Sequence, residues 1–191
     1  MSRRPVGLLL LSGGQSRRMG EAKHALPHPA GGSWGGRLVQ VFEIVFPGAP
    51  VQVLGEPLPD RPDLPVLEDP REGPARALGV WAAREAPAVR RWWVVACDQV
   101  RWTPDALAAW AQRAEAADPG AAHWVAARHG GRLQPLGGWI AAALRPAIAA
   151  ATPRSLTALL ESLPHLELPC DGPEWQDVDT PEERRDFEDE G

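Results

Sequence analysis

The sequence predicts a three-layer α/β fold with a mainly parallel central sheet, and the alternation of two kinds of segment supports this prediction. Short apolar runs, typical of strands buried on both faces, alternate with longer segments of helical pattern. Strands that alternate with helices favour helices on both faces of a parallel sheet. No repeat or linker interrupts the pattern, so we expect one domain over residues 1–191, with an acidic tail at about 187–191 that frays.

Each element follows from its own composition. The apolar runs predict strands at Val6–Leu11, Val51–Leu54, Val66–Leu67, Trp92–Ala96, Trp124–Ala127, Leu136–Ile140 and His165–Leu168. The helical patterns predict helices at Arg37–Phe46, Pro74–Ala86, Pro104–Ala117, Ala141–Ala150, Arg154–Ser162 and Pro181–Glu190. Thr103 and Thr152 each stand directly before a proline, and this pattern predicts a helix N-cap at each threonine. Residues 180–183 form a capping box.

Composition narrows the function classes. The chain has 20 basic and 25 acidic residues and a net charge of −5, which argues against a nucleic-acid partner. Its two cysteines form neither a metal-like pair nor a disulfide framework, so a reduced cytoplasm is the expected setting. No apolar run approaches the roughly 18 residues that span a bilayer, so we expect no membrane partner.

Residues 11–23, which read LSGGQSRRMGEAK, carry the most information about function. The first predicted strand leads directly into Gly13 and Gly14, and two arginines and Lys23 follow. Glycines let backbone N–H groups face an anion, and the cations add fixed positive charge where phosphates would lie. A basic surface turn is the alternative, but it does not explain the glycines and the three cations together. The pattern favours a nucleoside triphosphate as ligand, although it matches neither the P-loop nor the dinucleotide fingerprint.

Several carboxylates follow predicted strands and should therefore lie at one edge of the sheet, where ligands of such folds bind. Asp98 emerges directly after the predicted central strand, and Asp69 follows the third strand. Beside a triphosphate, Asp98 suits a Mg²⁺ ligand, although a loop or helix-cap role is as common for an aspartate in general. Asp179, which precedes the last helix, is as well suited to a second metal ligand as to a helix cap.

The glycine loop resembles the signature L-x-G-G-x-S-x-R-M-G-x-x-K of a nucleotidyltransferase family, and in particular that of the molybdenum cofactor guanylyltransferases. The matching residues are Leu11, Gly13, Gly14, Ser16, Arg18, Met19, Gly20 and Lys23. The resemblance implies a Rossmann-like nucleotidyltransferase fold and an Mg²⁺-dependent enzyme. It would transfer GMP from GTP to the phosphate of molybdopterin, release pyrophosphate and form the guanine dinucleotide cofactor.

The resemblance also implies roles for individual residues. Arg18, Lys23 and Asp98 would be catalytic. Nucleotide binding would fall to Leu11, Ser12, Gly13, Gly14, Lys23, Asp69 and Asp98. Metal binding would fall to Asp98 and Asp179, and acceptor binding to Arg132, Gln134 and Pro135. Asp69 would accept hydrogen bonds from the guanine edge. Other proteins of molybdenum cofactor biosynthesis, or proteins that receive the cofactor, would be further partners.

Departures from the family pattern keep two alternatives open. Ala22 stands where many members have aspartate, Ala77 replaces a glycine, and Val100 stands where proline is usual. One alternative is a cytidylyltransferase or sugar-phosphate nucleotidyltransferase of the same fold. The other is a non-catalytic nucleotide-binding regulatory module. The glycine-rich segment 27–36 is longer than usual in the family and predicts a mobile flap.

Overall fold

Seven strands form a single sheet in the computed structural model, which describes residues 5–13, 22–70 and 72–189. The strands are Val6–Leu11 (β1), Val51–Leu54 (β2), Val66–Leu67 (β3), Arg91–Ala96 (β4), Trp124–His129 (β5), Arg132–Ala141 (β6) and His165–Pro169 (β7). Their order is β3-β2-β1-β4-β6-β5-β7. β6 runs antiparallel to both neighbours and the other adjacent strands pair in parallel, which confirms the mainly parallel sheet.

Six α-helices accompany the sheet in the described ranges. They are Trp34–Val45 (α1), Pro74–Ala82 (α2), Pro104–Ala117 (α3), Arg145–Ala150 (α4), Leu156–Glu161 (α5) and Pro181–Asp189 (α6). Short 3-10 turns occur at Lys23–Ala25, Ala142–Leu144 and Pro173–Trp175. Across the described parts of the chain, no helix is long and apolar enough to cross a membrane.

The helices cover both faces of the sheet, as the three-layer prediction requires. On one face, Phe42 of α1 and Trp110 of α3 belong to the same buried cluster as Trp93 of β4. On the other face, α2, α4 and α5 pack against the residues of β4 that point the opposite way, such as Trp92. Removal of these large apolar side chains from water is the main force that holds the layers together.

The predicted boundaries hold better for strands than for helices. The Thr103 hydroxyl accepts a hydrogen bond from Ala106 N, and the Thr180–Glu183 capping box forms in both directions. The Thr152 cap is wrong, because α5 begins three residues later and Ser155 accepts the bond from Ala158 N. The predicted helix at Ala141–Ala150 begins too early, because Ala141 still pairs with Arg91 of β4.

A third, smaller apolar cluster lies apart from the two sheet faces and consists of Leu26, Trp34, Val100, Val178 and Phe187. It joins the chain before α1, the loop after β4, the segment before α6 and α6 itself. The Phe187 ring meets Trp34 edge to face at a centroid distance of 6.2 Å. This cluster therefore fixes α6 and three connecting segments against one another.

We expect Phe187→Ala to lower the free energy of unfolding by about 3 kcal/mol, because a large buried ring is replaced by a cavity. Urea denaturation followed by tryptophan fluorescence measures the change. The control is Phe46→Ala, which removes a half-buried ring from the first cluster. Limited proteolysis should cut between residues 170 and 181 faster in the Phe187 variant than in the Phe46 variant. Equal cleavage in both would show that α6 does not hold this segment.

Candidate functional site

The carboxyl ends of the parallel strands place the predicted site residues at one edge of the sheet. β1 ends at Leu11 and continues into Ser12 and Gly13, while the adjacent β4 ends at Ala96, two residues before Asp98. The backbone N–H of Val178 donates to the carbonyl of Asp98 at 3.0 Å, which brings the segment before α6 to the same edge. Three distant parts of the chain thus meet there.

Lys23 joins two of these parts through a double ion pair. Its Nζ donates to Asp98 Oδ2 at 3.1 Å and to Asp179 Oδ1 at 2.5 Å. The Lys23 side chain is only 10% exposed. Burial by itself would lower the pKa of Lys23, but the charge of Asp98 and the hydrogen bonds to both carboxylates outweigh it and raise the pKa. The ammonium is therefore charged at neutral pH.

The contacts around Asp179 bear on the helix-cap role that the sequence left open for it. Thr180 and Glu183 supply the N-terminal cap of α6, and Glu183 Oε2 also accepts from the backbone N–H of Asp179 at 2.8 Å. The Asp179 carboxylate does not complete that box but pairs with Lys23. The Asp179 carboxylate therefore lies at the candidate site beside Lys23.

Asp177 adds a third carboxylate to the same region. Its side chain is exposed to the cleft, yet the protein around it and the charges of Asp98 and Asp179 raise its pKa to about 6. A hydrogen bond from the buried Gln99 side chain opposes this shift. The cluster of Asp98, Asp177, Asp179 and Lys23 therefore has an excess of negative charge, which suits a cation.

The donor chemistry fits a magnesium-like ion that is shared with a ligand. Among the residues that the structure describes, no group of three His, Cys, Asp or Glu side chains could hold a metal ion by itself. Mg²⁺ is commonly held by one or two carboxylates together with phosphate oxygens and water. Asp98 and Asp179 are two such carboxylates, and both contact the Lys23 ammonium.

A second corner of the site forms around Gly13. Gly55 has a φ of 125°, and a Cβ at Gly55 would collide with the backbone of Gly13. A Cβ at Gly13 would in turn collide with the carboxylate of Asp69. Ser12 Oγ donates to the carbonyl of Glu56 at 2.6 Å and so fixes the exit from β1. The absence of side chains at both glycines allows Asp69 to reach the start of the glycine loop.

The remaining predicted residues are placed as follows. Gly14 and Arg18 lie outside the described residues. Leu11 is buried at the end of β1. Arg132, Gln134 and Pro135 lie at the start of β6, which begins at the edge where its antiparallel neighbour β4 ends. Arg132 is exposed there, while Gln134 and Pro135 are half-buried.

The glycine-rich segment 27–36 forms a hydrogen-bonded turn before α1. Its backbone closes a turn through bonds from His28 N to Gly32 O and from Gly31 N to His28 O, both at 2.9 Å. Ser33 donates to Asp60 from both its N–H and its hydroxyl, and it caps α1. A cavity of about 400 Å³ beside this turn is lined by Gly32, Arg37 and Arg61, among others, and by none of the predicted nucleotide or metal residues. The described nucleotide and metal candidates therefore lie at the strand ends and not at this cavity.

Sequence reasoning missed three contributors. Gln99 has no predicted role, although its side chain is 1% exposed and contacts Asp177. Gly55 gave no signal beyond being a glycine after a predicted strand. The bond from Val178 N to Asp98 O is a backbone contact that no residue type predicts.

We expect Gly55→Ala to destabilise the fold by about 3 kcal/mol, because both the backbone conformation and the collision with Gly13 oppose a side chain. Gly48→Ala is the matched control. Gly48 also has a positive φ, of 76°, but a Cβ there meets nothing within 4 Å, so its cost should be about 1 kcal/mol. Chemical denaturation of both variants measures the difference, and equal losses would contradict the close approach of Gly55 to Gly13.

Comparisons with known proteins identify proteins that are similar to this chain. A protein from Mycobacterium tuberculosis named probable molybdenum cofactor guanylyltransferase is 37% identical over 127 residues. The match covers 60% of this chain and 59% of the length of that relative.

Two solved structures share the fold. Molybdopterin-guanine dinucleotide biosynthesis protein A from Archaeoglobus fulgidus matches with a TM-score of 0.73 and 16% identity, over 96% of this chain and 97% of that chain. A Mycobacterium tuberculosis protein solved in complex with manganese matches with a TM-score of 0.65 and 20% identity, over 99% and 100% of the two chains. At these identities the likeness concerns the fold alone.

The sequence profile of the MobA-like NTP transferase domain matches residues 8–167. Because this match spans most of the chain and includes the glycine loop, Asp69 and Asp98, the protein belongs to the family of MobA-like NTP transferase domains.

Proposed function

We propose that this protein transfers GMP from GTP to the terminal phosphate of molybdopterin, with release of pyrophosphate. The observation that carries the proposal is the joining of Lys23, Asp98 and Asp179 beside the start of the glycine loop. These residues are 75 and 156 positions apart in sequence, so only the fold brings them together. The relatives named as molybdenum cofactor guanylyltransferases support the choice of substrates.

Guanine recognition is assigned to Asp69. Guanine presents two adjacent donors, N1–H and N2–H, which one carboxylate can accept together. Asp69 lies against Gly13, where the nucleotide would enter the glycine loop. The other common bases do not present this pair of donors in the same arrangement, so the carboxylate would give a preference for guanine.

Phosphate binding is assigned to the glycine loop, Arg18 and Lys23. Backbone N–H groups of Gly13 and Gly14 would face phosphate oxygens, and the two cations would neutralise charge that builds up on them during transfer. Lys23 is placed for this by its position between β1 and the acidic cluster. Leu11 and Ser12 would hold the loop against the sheet.

Asp98 and Asp179 are the residues that would hold Mg²⁺. Their fit rests on the bridging ammonium of Lys23, which marks a position where these carboxylates already share a cation. When bound, Mg²⁺ supplies charge neutralisation at phosphate oxygens. The manganese complex of a protein with the same fold supports a divalent ion of this kind.

The reaction makes few covalent demands on the protein. An oxygen of the molybdopterin phosphate attacks the α-phosphorus of GTP in line, and the bond from that phosphorus to the bridging oxygen of the β-phosphate breaks. A new phosphoanhydride forms, and the electron pair leaves with pyrophosphate. The residues act by positioning and by electrostatic stabilisation. Arg132, Gln134 and Pro135 would receive the acceptor, since β6 begins at the same edge as the nucleotide corner.

Asp69→Asn should remove the preference for guanine, because an amide offers one acceptor and a competing donor where the carboxylate offers two acceptors. Isothermal titration of GTP and CTP with Mg²⁺ present measures the effect. We expect the unaltered protein to prefer GTP at least about tenfold, which is the scale of one well-formed charged hydrogen bond, and the variant to bind the two alike. Preference of the unaltered protein for CTP would favour a cytidylyltransferase of the same fold.

Asp98→Asn should lower turnover by roughly 10²-fold or more, as is typical when one electrostatic stabiliser of a transition state is lost. Pyrophosphate release from GTP in the presence of molybdopterin is the measurement. Asp186→Asn, an exposed aspartate of α6, is the matched control and should leave turnover unchanged. GTP binding without pyrophosphate release by the unaltered protein, with any acceptor, would instead indicate a regulatory module.

A further inference from the structure

Lys23 is the only lysine in the chain, since the other 19 of its 20 basic residues are arginine. The only lysine ammonium of the protein therefore lies between the carboxylates of Asp98 and Asp179. An ammonium is a compact point charge with three donors, whereas a guanidinium is a wide planar fork. A metal ion that is bound by two carboxylates has the same arrangement, with a compact cation between two negative groups.

The surroundings of Lys23 resemble a cation site in charge as well as in shape. Its Nζ contacts Asp98 and Asp179, and its side chain is largely removed from water. Asp177 also interacts electrostatically with Asp98, Asp179 and Lys23, so carboxylates outnumber ammonium groups among the described residues of this cluster.

We infer that Lys23 Nζ occupies, in the ligand-free protein, the position that a divalent cation takes between Asp98 and Asp179, so that the two cations exclude each other. The inference rests on the proposed function, because it concerns the same metal and triphosphate. A bound triphosphate offers oxygens that accept hydrogen bonds from Lys23 in place of the two carboxylates. The ammonium then leaves the carboxylates to the divalent ion.

This exchange has a thermodynamic consequence. A divalent ion that enters alone must break two charge-assisted hydrogen bonds and meet the repulsion of the displaced ammonium. An ion that enters with the nucleotide finds the lysine already drawn towards the phosphates. The bound nucleotide should therefore raise the affinity of the protein for the cation, and the bound cation should raise its affinity for the nucleotide. This coupling is in addition to the affinity of the nucleotide and the cation for each other in water.

The direct test is Mn²⁺ binding in the absence of nucleotide, measured by isothermal titration. We expect Lys23→Met to bind Mn²⁺ about tenfold more tightly than the unaltered protein, or better, because a competing positive charge is removed. Lys23→Arg retains the charge and should bind Mn²⁺ no more tightly than the unaltered protein. Adding Asp98→Asn to Lys23→Met should abolish the gain.

The outcomes separate this inference from the proposed function. Equal Mn²⁺ affinity in Lys23→Met and in the unaltered protein, dependent on Asp98 in both, would overturn the exchange and leave the metal assignment in place. If Mn²⁺ binds neither Lys23→Met nor the unaltered protein, the exchange is also overturned. A GTP titration of the unaltered protein would then show whether nucleotide binding fails as well.

A second measurement needs no substitution and covers the case in which Lys23→Met does not fold. Reductive methylation with ¹³C-formaldehyde labels one side-chain amine and the N-terminal amine, which differ in pKa by more than about 2 units. We expect the Lys23 signal to shift on saturation with Mg²⁺, and its pKa to fall as the carboxylates turn to the metal. An unchanged signal at a Mg²⁺ concentration that saturates the protein would overturn the inference.

Discussion

Opposite charge held in a confined cleft is the constraint on which this site depends. Lys23 satisfies Asp98 and Asp179 together, and without it three carboxylates would repel one another at the same sheet edge. Partly buried ions lose hydration, and geometry has to compensate for that loss. Here the backbone provides the geometry, since β4 delivers Asp98 and the capping box of α6 turns the Asp179 carboxylate towards the lysine.

The charged cluster has an apolar counterpart made from the same segments. Val178 lies between the two acidic residues 177 and 179, Val100 follows Asp98 by two positions, and Leu26 follows Lys23 by three. Each segment therefore contributes at least one charged group to the charged cluster and one apolar group to the third cluster. The hydrophobic effect, which is not directional, holds the segments together, and the ion pairs, which are directional, set their register.

Much of this arrangement could be predicted from the sequence, and the reasons are local. The strands β1, β2 and β3 have the predicted bounds because their apolar runs end at Ser12, Gly55 and Glu68. Asp98 could be placed at the sheet edge because it follows such a run directly. The start of α5 could not be predicted from the sequence, because Thr152 and Ser155 are both able to cap a helix. The choice between them depends on how Leu159 and Leu160 reach the core.

The partners of Lys23 also lay beyond sequence reasoning. Family resemblance pointed Lys23 towards phosphates, and nothing in the local sequence indicates that it pairs with carboxylates 75 and 156 positions away. The turn at 27–36 is a similar case. Asp60, which lies outside the segment, accepts two hydrogen bonds from Ser33, and nothing in the local sequence predicts this contact.

The sequence separation of the site residues has a consequence for how the protein is made. A ribosome has synthesised almost the whole chain before Asp179 can reach Lys23, and Phe187 of the third cluster follows later still. The segment that follows β1 therefore lacks these partners during most of synthesis, while the central sheet can already form. A chain that stops before Asp179 could therefore form the sheet but would lack the carboxylate pair that Lys23 joins.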